Sequence, residues 1–286
     1  MIVHLKEIIS QAQKKKFAVG AFNTSNLEVT LGIVAGAVKM KSPVIIQISE
    51  STIKYAGLKN IFNLINSIAE TDGKDIPIAI HLDHGKNWEI VKDCILIGLS
   101  SVHFDGSAFP FEKNVRLTKR AVEFAHRHGV FCQGELGSLP GREGLARIII
   151  PKNHDSFMTN PEQAREFVAK TSVDTLAVSV GSLHGIFKGQ EKIDFERLSK
   201  IQQQVKLPLV LHGGSGVKDE EIKRAIKLGI RIINIDTSLR LAFTKTLKQT
   251  VKATKSFYDP RKILAPSIIA VAEETADRIK VFGSRL

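Results

Sequence analysis

Residues 76–85 read Ile-Pro-Ile-Ala-Ile-His-Leu-Asp-His-Gly, an apolar run that ends in polar side chains and a glycine. Eight short apolar runs recur along the chain, at 17–22, 43–49, 76–83, 101–105, 130–136, 175–180, 208–212 and 230–235. Between them, apolar residues recur at helical spacing, for example at 27–40, 60–70, 115–128, 161–171, 195–205 and 219–228. Short strands that alternate with amphipathic helices indicate a parallel sheet with crossover helices.

Eight strand–helix units in 286 residues predict an α/β fold, a single (β/α)8 TIM barrel. We expect residues 1–286 to form one domain, with a C-terminal helical extension at 258–286. The segment 137–160 is long and contains several glycines and prolines, so we expect an active-site lid there. A doubly wound sheet is the alternative architecture, but it would place ligands mainly at one switch point.

Polar side chains stand at the ends of the predicted strands, and in a barrel these ends surround the active site. They are Asn23, Ser49, Asp83, His84, Asp105, Glu135, His184, His212, Asn234 and Asp236. The strand starts carry mostly Pro, Val and Ile. We therefore expect one catalytic face, at the carboxyl ends of the strands.

Three strand ends carry a histidine followed by glycine, in His84-Gly85, His184-Gly185 and His212-Gly213. Three imidazoles that leave one position open are a common way to bind catalytic zinc. The glycines allow the backbone to approach a ligand closely. The first run also holds His81, and the pattern alone does not choose between His81 and His84. His103 lies inside a strand, and we interpret it as structural.

Three carboxylates accompany the predicted metal site. Asp83 adjoins His84 and is the best candidate for a proton donor or acceptor, because a carboxylate beside a metal-bound oxygen can move a proton in place. The alternative is that Asp83 orients a histidine. Asp105 and Glu135 suit that orienting role or an alternative metal position.

Two strand-to-helix turns predict a phosphate site. Gly213-Gly214-Ser215-Gly216 follows the seventh run, and Asn234-Ile235-Asp236-Thr237-Ser238 follows the eighth. In barrels, the loops after strands seven and eight commonly bind phosphate through backbone N–H groups and a helix N-terminus. Lys188 could add a positive charge to the same phosphate, although a solvated lysine is the alternative.

Composition favours an anionic partner in a reducing compartment. Lys and Arg total 41 against 29 Asp and Glu, which gives a net charge of +12. The basic cluster Lys14-Lys15-Lys16 has no interleaved aromatics that could stack bases, which argues against nucleic acid as a partner. Two unpaired cysteines and the lack of a signal or membrane segment predict a cytoplasmic protein.

Six ordered motifs carry a resemblance to a known family. They read His81-Leu82-Asp83-His84-Gly85, Phe104-Asp105-Gly106-Ser107, Gly134-Glu135-Leu136-Gly137, Gly181-Ser182-Leu183-His184-Gly185, Leu211-His212-Gly213-Gly214-Ser215-Gly216 and Asn234-Ile235-Asp236-Thr237. Over nearly its whole length the chain resembles the class II, zinc-dependent fructose-bisphosphate and tagatose-bisphosphate aldolases. The resemblance implies a carbon–carbon lyase of carbohydrate metabolism and glycolysis.

The resemblance also implies a cofactor, one catalytic Zn²⁺ per subunit. His84, His184 and His212 match the zinc ligands, which selects His84 over His81. Asp105 and Glu135 match residues that lie near the metal or bind a second divalent or monovalent cation.

Proton carriers and substrate contacts follow from the same resemblance. Asp83 matches the aspartate that exchanges a proton with the aldehyde oxygen, and Glu143 matches a lid glutamate that shuttles the carbon-bound proton. The residues implied to contact substrate are Asn23, Ser49, Gly185, Lys188, Gly213, Ser215, Asn234, Asp236 and Thr237, and the phosphate turn adds Gly214. Two departures bear on the lid and the distal sugar pocket: the lid reads Pro140-Gly141-Arg142-Glu143-Gly144, and Ala108 replaces a common histidine.

The favoured substrate is fructose 1,6-bisphosphate, cleaved reversibly to dihydroxyacetone phosphate and glyceraldehyde 3-phosphate. Tagatose 1,6-bisphosphate is an alternative, because residues 160–167 and 193–198 look more like that branch. A phosphorylated intermediate of inositol breakdown is another. Two rivals come from other classes: a metal-dependent hydrolase and a nucleic-acid-binding barrel without catalysis. Relatives of this kind are homodimers or homotetramers, and no membrane partner is expected.

Overall fold

The computed structural model describes residues 1–138, 154–183, 185, 192–253 and 258–285. Strands and helices alternate along almost all of the described chain. In chain order the elements are α1 (Leu5–Lys15), β1 (Val19–Asn23), α2 (Leu27–Lys39), β2 (Val44–Ser49), α3 (Glu50–Ala56), α4 (Leu58–Thr71), β3 (Ile78–Gly85), α5 (Trp88–Ile97), β4 (Ser101–Phe104), α6 (Phe111–Arg127), β5 (Phe131–Leu136), a 3₁₀ turn (His154–Ser156), α7 (Pro161–Thr171), β6 (Thr175–Val178), α8 (Phe195–Gln204), β7 (Leu209–Leu211), α9 (Asp219–Lys227), β8 (Ile230–Ile235), α10 (Thr237–Ala253) and α11 (Pro260–Phe282).

The eight strands form one closed parallel barrel in sequence order, from β1 to β8 and back to β1. The pairing of Val19 with Ile232 closes the ring. The predicted (β/α)8 barrel is therefore confirmed, and each predicted strand lies within two residues of an observed one. Agreement is good because strands buried on both faces read as continuous apolar runs.

The barrel interior changes from apolar to polar along its axis. At one end Ala21, Ile45, Ala79, Ala177, Val210 and Ile232 form an apolar layer with the buried face of α1. On β2 and β3, Ile45 and Ala79 of this layer are followed two residues later by the buried polar side chains Gln47 and His81. Because side chains alternate along a strand, the next positions on the same side are Ser49 and Asp83, at the carboxyl ends. On these strands the same face therefore becomes polar towards the carboxyl-end rim.

Helix α11 packs on the outside of the barrel, as expected for the tail, but begins at Pro260. It contacts α2 and α10. A Cβ at Gly32 of α2 would lie 2.6 Å from the Val271 Cβ, so the two helices approach each other more closely than a larger side chain would allow. Asp259 caps the first turn by accepting from the Arg261 N–H at 3.0 Å.

No helix among the described residues combines the length and apolar character needed to cross a membrane. Within the predicted lid, 137–160, residues 139–153 lie outside the part of the chain that the structure describes.

Candidate active site

Asp83 and His84 end β3, and an irregular backbone directs both side chains into the same cleft. The register between β3 and β4 shifts between Leu82 and Gly85. His84 has φ +48°, in the left-handed region that a non-glycine residue rarely adopts. Consecutive residues on a regular strand point to opposite faces, so this bulge allows neighbouring Asp83 and His84 to share one site. Strain of this kind is concentrated at functional sites.

Two asparagine amides hold the Asp83 carboxylate. Asn23 Nδ2 donates to Asp83 Oδ2 at 2.9 Å, and Asn234 Nδ2 donates to Asp83 Oδ1 at 3.2 Å. Burial favours the neutral acid, but the positive charge of His84 and the bond from Asn23 outweigh it and lower the Asp83 pKa. The buried carboxylate is therefore ionised and oriented at neutral pH, as a proton acceptor must be.

Two histidine rings meet beside that carboxylate. His212 Nδ1 and His84 Nε2 lie 2.9 Å apart. Asp83, His84 and His212 offer ligand atoms that all lie within 4.8 Å of one another. Two imidazole nitrogens and a carboxylate oxygen fit a divalent metal ion. His184, the third predicted ligand, lies outside the described residues.

A second group of ligand atoms lies on the other side of His84. Its Nδ1 is 2.8 Å from Asp105 Oδ2 and 3.8 Å from Glu135 Oε2. His103 Nε2 lies 3.5 Å from that same Glu135 oxygen, and neither atom has a hydrogen-bond partner among the described residues. All four ligand atoms lie within 4.8 Å of one another, which fits a second cation.

The charges in this second group oppose one another. Burial opposes the charged form of His84, but Asp83 and the hydrogen bond to Asp105 outweigh it and raise the His84 pKa to about 10. Burial and the neighbouring Asp105 raise the pKa of Glu135 to about 8. The Asp105 carboxyl is also penalised by burial, yet the bond to His84 holds its pKa far below the usual range. The Asp105 and Glu135 carboxyl groups therefore repel each other when both are ionised, and a cation bound by both would relieve that repulsion.

His103, interpreted from the sequence as structural, also lies among these possible ligands. It stands in β4, two residues before Asp105, which directly follows the strand, and this spacing places two side chains on the same side. His81, by contrast, lies deeper: its Nδ1 is 2.8 Å from Ser101 Oγ, and burial lowers its pKa to about 4. His81 belongs to neither group of possible ligands.

The two turns predicted to bind phosphate meet at the cleft that Asp83 lines. The cleft is lined by Asn23, Asp83, His84, Gly185, Gly213, Ser215, Asn234, Asp236 and Thr237. The Gly214 N–H donates to the Asn234 carbonyl at 3.1 Å, and the Ser238 N–H donates to Ser215 Oγ at 3.3 Å. These bonds join the turn after β7 to the start of α10. The helix N-terminus there favours an anion.

Gly213 explains why glycine follows histidine in the seventh run. Its φ is +69°, and a Cβ would overlap the carbonyl oxygen of Leu183. Only glycine allows the turn after β7 to pack so closely on the segment after β6. The His212-Gly213 pair directly after β7 therefore lies against the segment that follows β6.

Four other residues predicted to act on the substrate have different surroundings or lie outside the described residues. Ser49 lies opposite Asp83 in the strand register, but its Oγ accepts from the Thr52 N–H at 3.3 Å and caps α3. It does not line the cleft. Asp236 accepts from Arg240 Nε at 2.5 Å, a partner one helical turn away that the sequence reading did not single out. Glu143 and Lys188 lie outside the described residues.

The fold and site together define a (β/α)8 barrel with a candidate metal centre and an anion-binding cleft at the carboxyl ends of its strands. The family described as class-II fructose-bisphosphate aldolase matches residues 3–285. The chain belongs to that family, so the resemblance read from its motifs is confirmed.

Named relatives agree with this membership. A fructose-bisphosphate aldolase of Geobacillus stearothermophilus is 40% identical over 284 residues, covering 99% of this chain and 97% of that protein. One from Thermus caldophilus is 41% identical over 307 aligned positions, covering 99% of each. Among solved structures, the YdjI aldolase from Escherichia coli K12 has a TM-score of 0.85 at 34% identity, over 100% of this chain and 98% of that one.

Proposed function

We propose that the protein is a zinc-dependent aldolase that reversibly cleaves fructose 1,6-bisphosphate to dihydroxyacetone phosphate and glyceraldehyde 3-phosphate. One observation carries the proposal: the Asp83, His84 and His212 side chains meet, and Asp83 and His84 line one cleft together with residues of two phosphate-type turns. A sugar phosphate bound in this cleft would place its carbonyl end at the metal ligands and its phosphate at the turns. The two close relatives named fructose-bisphosphate aldolase support this choice of sugar.

The proposed cofactor is one Zn²⁺ per subunit, held by His84, His184 and His212. When bound, the ion supplies Lewis-acid stabilisation of the negative charge that develops on the ketone oxygen during cleavage. Nitrogen-rich donor sets suit zinc. Asp105 and Glu135, together with His103, would hold a second divalent or monovalent cation.

Two carboxylates would move the protons. In the cleavage direction Asp83 takes the proton of the C4 hydroxyl while the C3–C4 bond breaks, a role supported by its ionised state and its two amide donors, Asn23 and Asn234. Glu143 would then return a proton to the carbon that becomes part of dihydroxyacetone phosphate. The reverse reaction uses the same groups in the opposite order.

The cleft turns would bind the phosphate of the triose half. Backbone N–H groups of Gly213 and Ser215 would offer donors to that anion, together with the turn from Asn234 through Asp236 to the N-terminus of α10 at Thr237. Gly214 would hold the turn in place, because its N–H already donates to the Asn234 carbonyl. Gly185 and Lys188 would complete this site. Asn23 and Ser49 would lie nearer the distal half of the sugar.

The setting of the enzyme is also a proposal. We take residues 1–286 to act as one aldolase domain in a cytoplasmic homodimer or homotetramer. Both cysteines, Cys94 and Cys132, are free and buried, in keeping with a reducing compartment.

Comparing substrates tests the function directly. We expect kcat/KM for fructose 1,6-bisphosphate to exceed that for tagatose 1,6-bisphosphate, because the pocket residues match the fructose branch. It should also exceed the value for the phosphorylated inositol-breakdown intermediate, which has one phosphate fewer to anchor. The measurement couples triose phosphate release to a dehydrogenase. A higher value for either rival would reassign the substrate, and phosphate release without triose formation would favour the hydrolase.

Metal removal tests the proposed cofactor. We expect a chelator to abolish cleavage and added zinc or cobalt to restore it. Borohydride with substrate should leave the protein's mass unchanged, because the proposed mechanism uses no lysine Schiff base. A covalent adduct after borohydride treatment would contradict the zinc mechanism.

The affinity of the protein for added zinc should depend on pH. The His84 pKa is raised to about 10, so below that pH the ring carries a proton that a metal ion must displace. Affinity for zinc should therefore rise with pH, by about tenfold per unit from about pH 6 to about pH 9 if one proton is released. A competing chromophoric chelator measures this slope. A flat profile would show that His84 loses no proton on binding.

A further inference from the structure

Arg197, near the start of α8, contacts the C-terminal ends of two loops, the one after β5 and the one after β6. Its Nη2 donates to Asp155 Oδ1 at 2.6 Å and its Nη1 to the Thr159 carbonyl at 3.2 Å. Both partners lie between β5 and α7. Its Nε donates to Asp194 Oδ2 at 3.2 Å, between β6 and α8. One planar guanidinium therefore joins the end of the loop after β5 to the end of the loop after β6.

Thr159 connects this contact to the barrel itself. It is fully buried. Its Oγ1 donates to the Leu136 carbonyl at 2.5 Å and accepts from the Ser179 N–H at 2.8 Å. Its own N–H donates to the Ser179 carbonyl at 2.9 Å. Leu136 ends β5 and Ser179 follows β6. Thr159, the residue whose carbonyl binds Arg197, is therefore held at the ends of both strands.

Asp194 fixes the second loop in a similar way. Its N–H donates to the Val180 carbonyl at 2.8 Å, just beyond β6. Its side chain also accepts from the Arg197 N–H at 2.9 Å and so caps α8. The arginine side chain is 21% exposed, whereas that of Asp155 is 79% exposed and that of Asp194 is 35% exposed. The guanidinium is therefore held mainly by its part-buried bonds to Asp194 and the Thr159 carbonyl.

We propose that Arg197 is a positioning residue for aldol cleavage: it fixes the loop after β5 relative to the loop after β6. The inference rests on the proposed function, which assigns the proton carrier Glu143 to the first loop and the metal ligand His184 to the second. Those two residues lie outside the described chain, and the contacts that carry the proposal are those of the loop ends. Misplacing a reacting group by about 1 Å can cost about 100-fold in rate.

Replacing Arg197 by methionine tests this role. We expect kcat to fall about 10- to 100-fold, with KM changed little, because the phosphate turns follow β7 and β8 and take no part in these contacts. Zinc content is measured alongside, since the loop after β6 carries the proposed ligand His184, and it should fall less than in a variant that lacks a ligand outright. Arg197→Lys should recover part of the loss, since one ammonium can still reach one of the carboxylates. Asp155→Ala weakens the same contact at an exposed position that does not threaten folding, and should lower kcat in the same direction.

Lys200→Met is the matched control. Lys200 lies on the same helix and pairs with Glu196 at 2.7 Å, and both side chains are exposed and outside the loop ends. This variant should keep the wild-type kcat. Equal losses in Arg197→Met and Lys200→Met would overturn the proposal.

A double-mutant cycle with Glu143→Gln separates positioning from general stability. If Arg197 acts through Glu143, adding Arg197→Met to Glu143→Gln should cost less than about twofold. A full multiplicative loss would overturn the proposal, as would wild-type kcat in both Arg197→Met and Asp155→Ala. An inactive wild-type enzyme would instead overturn the proposed function, so the two failures are distinct.

Discussion

Asp83→Ala should lower kcat for cleavage of fructose 1,6-bisphosphate by about 10³- to 10⁴-fold, the upper part of the range for loss of a general base. The carboxylate is 2% exposed and has amide donors on both oxygens, so no water replaces it in the same orientation. Its pKa is lowered, so the group that is lost is ionised, and thus able to accept a proton, at neutral pH. Initial rates at saturating substrate measure the effect.

Zinc content separates loss of the base from loss of the metal. We expect Asp83→Ala to retain its zinc, because the variant keeps the histidines and removes a charge that favours protonation of His84. Asp219→Ala is a control: that carboxylate pairs with Arg278 at 3.1 Å on the outer helices, and its loss should leave kcat unchanged. Turnover of Asp83→Ala within about tenfold of wild type would refute a general-base role.

The sequence predicts the barrel and the location of the site for a simple physical reason. Strands buried on both faces appear as uninterrupted apolar runs, and parallel strands bring all their carboxyl ends to one rim. Polar residues at the ends of separate runs, such as Asn23, Asp83 and Asn234, must then converge. The observed hydrogen bonds from both asparagines to Asp83 agree with that expectation.

Strand periodicity does not predict the details of β3. Regular alternation would direct Asp83 and His84 to opposite faces. The bulge after Leu82 and the positive φ of His84 override that rule, and both depend on pairing with β4. His103 was missed for a related reason, because an interior histidine looks structural until Asp105 and Glu135 are seen beside it.

Contacts between loops that are distant in the chain cannot be predicted from the sequence either. Arg197 lies 38 residues from Thr159 and 42 from Asp155, and an arginine near a helix start looks like an ordinary surface charge. Only the fold, which brings the segment before α7 to the start of α8, gives it several partners. Long-range polar contacts of this kind leave no local pattern, in contrast to the strands.

His212→Gln should abolish zinc binding and, with it, cleavage. The ring is 1% exposed, and its Nδ1 lies 2.9 Å from His84 Nε2. Its Nε2 lies 3.1 Å from Gln133 Nε2, so the ring is held from both sides. Losing a hydrogen-bonded partner of a metal ligand costs about 10- to 100-fold in affinity. Losing a ligand should therefore raise the zinc dissociation constant by more than about 100-fold.

His81→Gln is the matched control for His212→Gln, because His81 is another buried histidine inside the same barrel, at 2% exposure. Both variants lose a packed imidazole, so both should unfold at lower temperature. Only His212→Gln should lose zinc, since His81 bonds to Ser101 and lies outside both groups of possible ligands. Wild-type zinc affinity in His212→Gln would remove His212 from the metal centre. Loss of zinc from His81→Gln as well would also contradict the assignment, because any disturbance of the barrel interior would then release the ion.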